Sequence, residues 1–146
     1  MPSVTARERR HGIVGGLLGI VGALVVLLAC VLPYSSFASD SGKVFYSFFN
    51  PGFEGGLWFA AEPVGVTVMG IVAALAIVIS RRPVVQIAGA ALLVGIGAQT
   101  LLLFIGYLGS RLTVEIGVAV GLAGALCLAI GGFIAAIRVV RAEGKP

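Results

Sequence analysis

Side chains that carry out acid–base, metal or redox chemistry are scarce in this sequence. Six acidic residues, one histidine and two cysteines are spread over 146 residues, and His11 lies among arginines. Metal sites require clusters of His, Cys, Asp or Glu at ligand spacing, and general acid–base catalysis requires positioned titratable groups. We therefore predict a protein that is not an enzyme and that uses no cofactor or metal ion.

Charge is equally sparse, at 11% of residues, and it is nearly absent from four long apolar runs. The runs cover residues 12–33, 63–80, 84–107 and 113–137. A helix needs about 20 apolar residues to cross a hydrocarbon core. The interiors of the runs hold no acidic or basic residue, which argues against an ion or proton path through the spans. The sequence predicts an all-α integral membrane protein, a single up-down four-helix transmembrane bundle with a long loop at residues 34–62.

Neither cysteine lies in a loop, so a redox-active or structural disulfide is not expected. Cys30 is near one end of the first run, whereas Cys127 lies about 14 residues into the fourth. We expect two free thiols that pack as small apolar residues. An alternative is that Leu27–Cys30 is a lipoprotein signal whose cysteine accepts lipid. The apolar stretch before Cys30 is longer than such signals usually are, and the residues after it stay apolar.

Basic residues are placed unequally around the four runs. Only Lys43 and Arg111 lie in the first and third connections; the other eight lie at the two ends of the chain and in the second connection: Arg7, Arg9, Arg10, Arg81, Arg82, Arg138, Arg141 and Lys145. Because basic residues concentrate on the cytoplasmic side, we predict cytoplasmic termini and an outward loop in a plasma membrane. The net charge of +4 then reflects topology and anionic lipid rather than nucleic acid. Eight Arg against two Lys indicate a GC-rich bacterial genome.

The predicted outer loop is rich in aromatic residues, which are preferred anchors of interfaces. Phe45, Phe48 and Phe49 follow helical spacing, so we predict a short interfacial helix that ends at Asn50-Pro51-Gly52. A hairpin that joins residues 43–49 to residues 53–59 is the alternative. Trp58 fits either a binding face or the aromatic belt at the membrane surface.

Three charged residues lie near the outer ends of the predicted helices. Glu62 and Glu115 occur where the second and fourth helices should begin, and Arg111 precedes Glu115. Carboxylates stabilise helix N-termini, which is sufficient to explain both acids. The sharper hypothesis is a charge cluster of Glu62, Arg111 and Glu115 that docks the aromatic loop or receives a cation.

Small residues and one amide stand out within the spans. Gly117, Gly121 and Ala125 recur every four residues on the fourth helix. Such stripes let helix backbones approach, either inside the bundle or between subunits. Gln99 is the most conspicuous polar residue at depth, and we expect it to bond to a neighbouring helix or to line a polar path.

Two functions remain after these exclusions. The first is a non-enzymatic envelope protein, an accessory or assembly partner that recognises another membrane protein or lipid through its outer loop. The second is an oligomeric channel or transporter for a small solute, built around Gln99, Thr67 and Thr100. A pore within one apolar bundle has no room for water, so the second function requires several subunits.

Overall fold

The computed structural model describes residues 6–39, 42–50, 56–108 and 113–143, and side chains are described for most of them. Four helices dominate and three short strands lie at one end. In chain order the elements are α1 (Ala6–Val31), β1 (Ser35–Ser39), β2 (Gly42–Tyr46), α2 (Gly56–Ile79), α3 (Pro83–Leu108), β3 (Thr113–Val114) and α4 (Ile116–Glu143).

All four helices are long and apolar enough to cross a membrane. Their outward faces are as apolar as their interior: Leu24, Val72, Leu102 and Leu126 are each about half exposed or more. Water disfavours an apolar surface of this extent, whereas lipid requires it. The length and the apolar outward faces of the four helices confirm the prediction of a multi-pass membrane protein.

The helices pack as antiparallel neighbours in the order α1, α2, α3, α4, with α4 closing against α1. Gly15 and Gly22 of α1 face Gly131 and Gly124 of α4, respectively. This reversed order of contacts makes α1 and α4 antiparallel. Large buried side chains fill the interior, among them Val26, Ile77, Leu93, Phe104 and Leu128.

Three helix ends extend six or seven residues beyond the predicted ones, and the other five differ by one to three residues. The helix α2 begins at Gly56, seven residues before the predicted start, and Pro63 lies inside it. The carbonyl oxygen of Pro63 accepts a hydrogen bond from the Thr67 hydroxyl at 2.9 Å. At the other ends, α1 begins at residue 6 and α4 continues to residue 143. The apolar runs mark the spans, but a helix can continue past a span wherever its backbone hydrogen bonds continue.

The outer loop forms neither the predicted helix nor the predicted hairpin. Instead β1 pairs with β2 in an antiparallel register from Ser35↔Tyr46 to Ser39↔Gly42, and β1 also pairs with β3. The strand order is β2-β1-β3. Gly42 has φ of 125°, a conformation that favours glycine at this strand end. Of the alternative hairpin's second strand, residues 53–55 lie outside the described residues and the rest belongs to α2.

Both cysteines are free, as expected. The side chain of Cys30 is fully buried within α1, at 0% exposure. The lipoprotein alternative, in which residues 1–29 would be removed and Cys30 would become the first residue, stays a prediction.

We predict that Gly22→Ala destabilises the bundle by about 1–3 kcal/mol. A Cβ atom at Gly22 would lie 2.7 Å from the Leu128 nitrogen and 2.8 Å from the Gly124 oxygen, and these backbone atoms must then move. The measurement is unfolding of the purified protein in mixed micelles of increasing denaturing detergent.

The matched control is Gly95→Ala on α3, where nothing lies within 4 Å of an added Cβ atom. Alanine is the better helix former there, so stability should stay equal or rise by up to about 1 kcal/mol. Equal losses in both variants would contradict close packing of α1 on α4.

Candidate functional site

The three strands and the turn at residues 47–50 form a small structure at one end of the bundle, which we call the hairpin end. The opposite end, with the turn at residues 80–82, we call the arginine end. Backbone hydrogen bonds attach the hairpin to two helices. The Phe48 nitrogen donates to the Cys30 oxygen at 3.2 Å, and the Glu115 nitrogen donates to the Tyr34 oxygen at 3.1 Å. The hairpin is therefore held by the end of α1 and the start of α4.

An aromatic cluster of Tyr34, Phe48, Phe104 and Tyr107 holds the hairpin on the side that faces the helices. The ring centroids of Tyr34 lie 5.1 Å from Phe48 and 4.8 Å from Tyr107, and those of Phe48 and Phe104 lie 6.0 Å apart. Pairs at these distances add stability beyond the burial of area. Burial also raises the pKa of Tyr34. The cluster joins the turn after β2 to α3.

Phe48 was predicted to contact a partner, but its side chain is buried in this fold. Its side chain is only 1% exposed and lies inside the aromatic cluster. Phe45 and Phe49 remain available, at 48% and 49% exposure. The predicted helix would have put all three on one face. The strand and the following turn direct Phe48 inward and leave Phe45 and Phe49 accessible.

Glu115 contacts the hairpin through Lys43 and Ser36. Its Oε1 atom lies 2.5 Å from Lys43 Nζ and accepts a hydrogen bond from Ser36 Oγ at 2.6 Å. Lys43 Nζ is also 5.1 Å from the centroid of the Phe45 ring. The hydrogen bond from Lys43, followed by that from Ser36, lowers the pKa of Glu115. Arg111 lies outside the described residues.

Glu62 is separate from that ion pair and lies beside Gln99 instead. Gln99 Nε2 is 3.4 Å from Glu62 Oε1, a long hydrogen bond between α2 and α3, and both residues are exposed. Thr67 and Thr100 are buried, and their hydroxyls bond to carbonyl oxygens of their own helices. Of the three residues predicted to line a solute path, only Gln99 is exposed. Its amide lies beside the Glu62 carboxylate on the outside of the bundle.

The stripe on α4 faces inward. Gly117 packs against the Pro33 oxygen, and the ring of Phe104 occupies the space in which a Gly121 side chain would lie. Ala125 is fully buried, and its carbonyl lies against Gly97 of α3. These three residues pack the bundle, and their burial leaves them no free face for another subunit.

Trp58 belongs to α2, but its side chain is outside the described part of the chain. Among the residues that the structure describes, no group of three His, Cys, Asp or Glu could hold a metal ion. What the site does offer is an exposed apolar surface on β2 and the following turn, made of Val44, Phe45 and Phe49.

Sequence reasoning missed the residues that attach the hairpin, which are Ser36, Lys43, Tyr34, Phe104 and Tyr107. Phe104 and Tyr107 are three residues apart near the end of α3, which places them on one helix face. That spacing was an available signal for the cluster. Nothing in the sequence pairs Lys43 with Glu115, because the two residues are 72 positions apart and only the sheet brings them together.

Comparisons with known proteins assign the chain to no family. No protein-family model matches the sequence. No curated protein and no solved structure matches it.

We predict that Glu115→Gln loosens the hairpin, because the amide loses the charge that holds Lys43. Hydrogen–deuterium exchange at residues 35–46 should rise roughly two- to fivefold at neutral pH. Glu62→Gln removes a carboxylate at the same end without touching Lys43, so it should leave exchange of these residues unchanged. Equal exchange in both variants would show that the ion pair does not hold the hairpin.

The same contact predicts a pH dependence of hairpin docking. Since the folded-state pKa of Glu115 is lowered, the stabilisation is present above the ordinary carboxyl pKa and is lost as pH falls through the lowered value. Exchange protection, corrected for intrinsic rates, should therefore fall below about pH 4 in the wild type. Glu115→Gln should show a smaller change over that range.

Proposed function

We propose that this chain is a non-enzymatic protein of the bacterial cell envelope, an accessory or assembly partner that binds another membrane protein through its hairpin. The observation that carries this proposal is the exposed edge of the sheet. In the order β2-β1-β3, β2 lies at an edge, and its residues Gly42–Phe45 are exposed. Phe45 and Phe49 flank this edge as half-exposed aromatic side chains.

An edge strand supplies backbone donors and acceptors that another strand can pair with. Aromatic side chains supply much of the binding free energy of interfaces. A lipid surface would bury the rings but would offer no extended backbone to pair with β2. The combination favours a protein segment in an extended conformation as the partner, with Lys43 at the edge limiting pairing between copies of the chain.

The hairpin is also fixed before any partner arrives. Hydrogen bonds to the ends of α1 and α4, the aromatic cluster and the Lys43–Glu115 pair each hold it on the bundle. A surface ordered in advance loses less conformational entropy on binding. The exposed rings of Phe45 and Phe49 thus belong to a fixed surface rather than to a loop that must fold first.

For orientation, we propose cytoplasmic termini and an outward hairpin end in the plasma membrane. Arg81, Arg82, Arg138 and Arg141 belong to the arginine end, whereas the hairpin end has Lys43 paired with Glu115. This asymmetry supports the orientation through the positive-inside rule. It also supports anionic lipid, not nucleic acid, as the counterpart of the basic residues.

One experiment tests both partner and orientation. Phe45→Cys and Phe49→Cys are labelled in intact cells with a membrane-impermeant maleimide that carries a photo-crosslinker. We expect labelling at both positions and a discrete crosslinked membrane protein. Arg141→Cys, at the opposite end, should be labelled only after lysis. The native cysteines provide the background, which should be low because Cys30 is buried and Cys127 lies within a span.

Two outcomes would contradict the proposal. Labelling of Arg141→Cys but not Phe49→Cys in intact cells would reverse the orientation. Crosslinks to lipid alone at both phenylalanine positions would leave only the role of an interfacial aromatic belt. Phe48 is unsuitable for this test, because its buried ring supports the fold and its loss would act through stability.

A second function, an oligomeric path for a small solute, rests on one observation. Gln99 is exposed on the bundle surface and is close to Glu62, so copies of the chain could place these groups at a shared interface. Thr67 and Thr100 give this function no support, because their hydroxyls are bonded within their own helices.

The solute path predicts that Gln99→Leu abolishes flux in reconstituted vesicles while the protein still folds. The accessory role predicts that the same variant keeps its crosslinked partner and changes stability by about 1 kcal/mol or less. The measurement is solute release from vesicles against empty controls, and Leu102→Val on the same helix serves as the apolar control. Vesicles with no permeability above empty controls for a broad solute panel would rule out transport.

A further inference from the structure

The arginine end contains a cavity of about 450 Å³ that none of the functions above uses. Residues from all four helices and the α2–α3 turn contribute to it. Its polar side chains are Arg81 of the turn, Gln86 of α3 and Arg138 of α4, and its apolar wall includes Ile13 of α1 and Ile79 of α2. The volume is within the range of about 300–1,000 Å³ that is usual for ligand sites.

Two positive charges line this cavity without a described counter-ion. The one ion pair among the described side chains is Lys43–Glu115 at the hairpin end, and no described carboxylate contacts Arg81 or Arg138. Arg81 is exposed and Arg138 is half-buried. Two guanidinium groups that open into one space repel each other, and an anion between them would turn this repulsion into attraction.

The end of α2 is the feature that could oppose an anion here, because a helix C-terminus carries about −0.5 of an elementary charge. Gln86 weakens that opposition. Its Nε2 atom donates to the Ser80 oxygen at 2.6 Å and lies 3.5 Å from the Ile77 oxygen. These carbonyl groups are thereby partly satisfied. The full positive charges of Arg81 and Arg138 outweigh the partial negative charge that remains at the end of α2. The cavity therefore favours an anion.

The apolar wall of the cavity indicates which kind of chemical group is attached to the anion. Ile13 and Ile79 are 40% and 73% exposed, so the wall continues onto the lipid-facing surface of the bundle. A ligand with a charged group and hydrocarbon attached would match both parts of the cavity. Guanidinium groups bind phosphate through paired hydrogen bonds and are only weakly hydrated.

We infer that this cavity is a binding site for a phosphate group, held by Arg81 and Arg138, and that its apolar wall suits the phosphate of an anionic phospholipid. Free phosphate shares the recognised chemistry and is distinguished by the experiment. The site is independent of the hairpin and of the proposed partner, since it lies at the opposite end of the bundle. Basic pockets between spans at the cytoplasmic side are known to suit anionic headgroups.

The test is native mass spectrometry of the purified protein in detergent, titrated separately with phosphatidylglycerol, phosphatidylcholine and inorganic phosphate. We expect phosphatidylglycerol to bind at least about tenfold more tightly than phosphatidylcholine. The double variant Arg81→Gln/Arg138→Gln should lose about tenfold in affinity for phosphatidylglycerol, the equivalent of one hydrogen bond to a charged group.

The matched control is Arg82→Gln/Arg141→Gln, which removes the same charge from the same end but from residues outside the cavity lining. It should change the affinity less than about twofold. A charge-neutral variant, Ile13→Trp, should also weaken binding, because the larger ring enters the cavity from α1. If Arg81→Gln/Arg138→Gln does not fold, Arg81→Lys/Arg138→Lys replaces it and should lose affinity through its poorer geometry.

Binding of phosphatidylglycerol but not inorganic phosphate would assign the site to lipid. Binding of inorganic phosphate with the same dependence on Arg81 and Arg138 would assign it to the free anion. Equal affinity for the two phospholipids with no binding of inorganic phosphate would overturn the inference. Equal losses in the two double glutamine variants would do so too, because they would show a diffuse charge effect.

Discussion

Direct contact between the backbones of α1 and α4 organises both the bundle and the strands at its end. Lipid gives apolar helices little reason to associate, so they must gain contact through close packing. Gly22 against Gly124 and Gly15 against Gly131 provide it. Because the two helices are antiparallel, the end of α1 and the start of α4 lie together. The chain segments that follow the one and precede the other can then pair as β1 and β3.

The contact between α1 and α4 determines where the hairpin lies. Since β1 is the central strand, it connects β2 to the bundle, and the aromatic cluster then fills the space beneath. Each attachment uses a different kind of interaction: backbone pairing, ring contacts and one ion pair. The residues between and around Phe45 and Phe49 make the contacts that attach the hairpin to the bundle. The rings of these two residues are therefore left exposed.

The four helices and their order along the chain could be predicted from the sequence, because hydropathy identifies the apolar segments that can lie in lipid. The helix ends could not, since Pro63 and Glu62 continue a helix that hydropathy alone would begin there. The site was predicted in part. Phe45 and Phe49 are exposed, as a binding face requires, and Gln99 bonds to Glu62 of a neighbouring helix as expected, whereas Phe48 is buried. The Lys43–Glu115 contact was missed because it depends on β3, which is only two residues long and pairs with a strand far away in the sequence. Local patterns cannot reveal such a pairing.

The pairing of β1 with β3 also has a consequence for biosynthesis. Ser35 and Ser36 leave the ribosome long before Thr113 and Val114, and two whole spans are made between them. The three-stranded sheet therefore cannot be completed until the last helix has begun to insert, which makes it one of the final events of assembly. Before that moment Lys43 and Ser36 have no Glu115 to bind. The edge strand β2 is thus fixed through β3 and Glu115 only on a chain whose membrane insertion is nearly finished, so a partner that needs the fixed edge would select completed molecules over nascent ones.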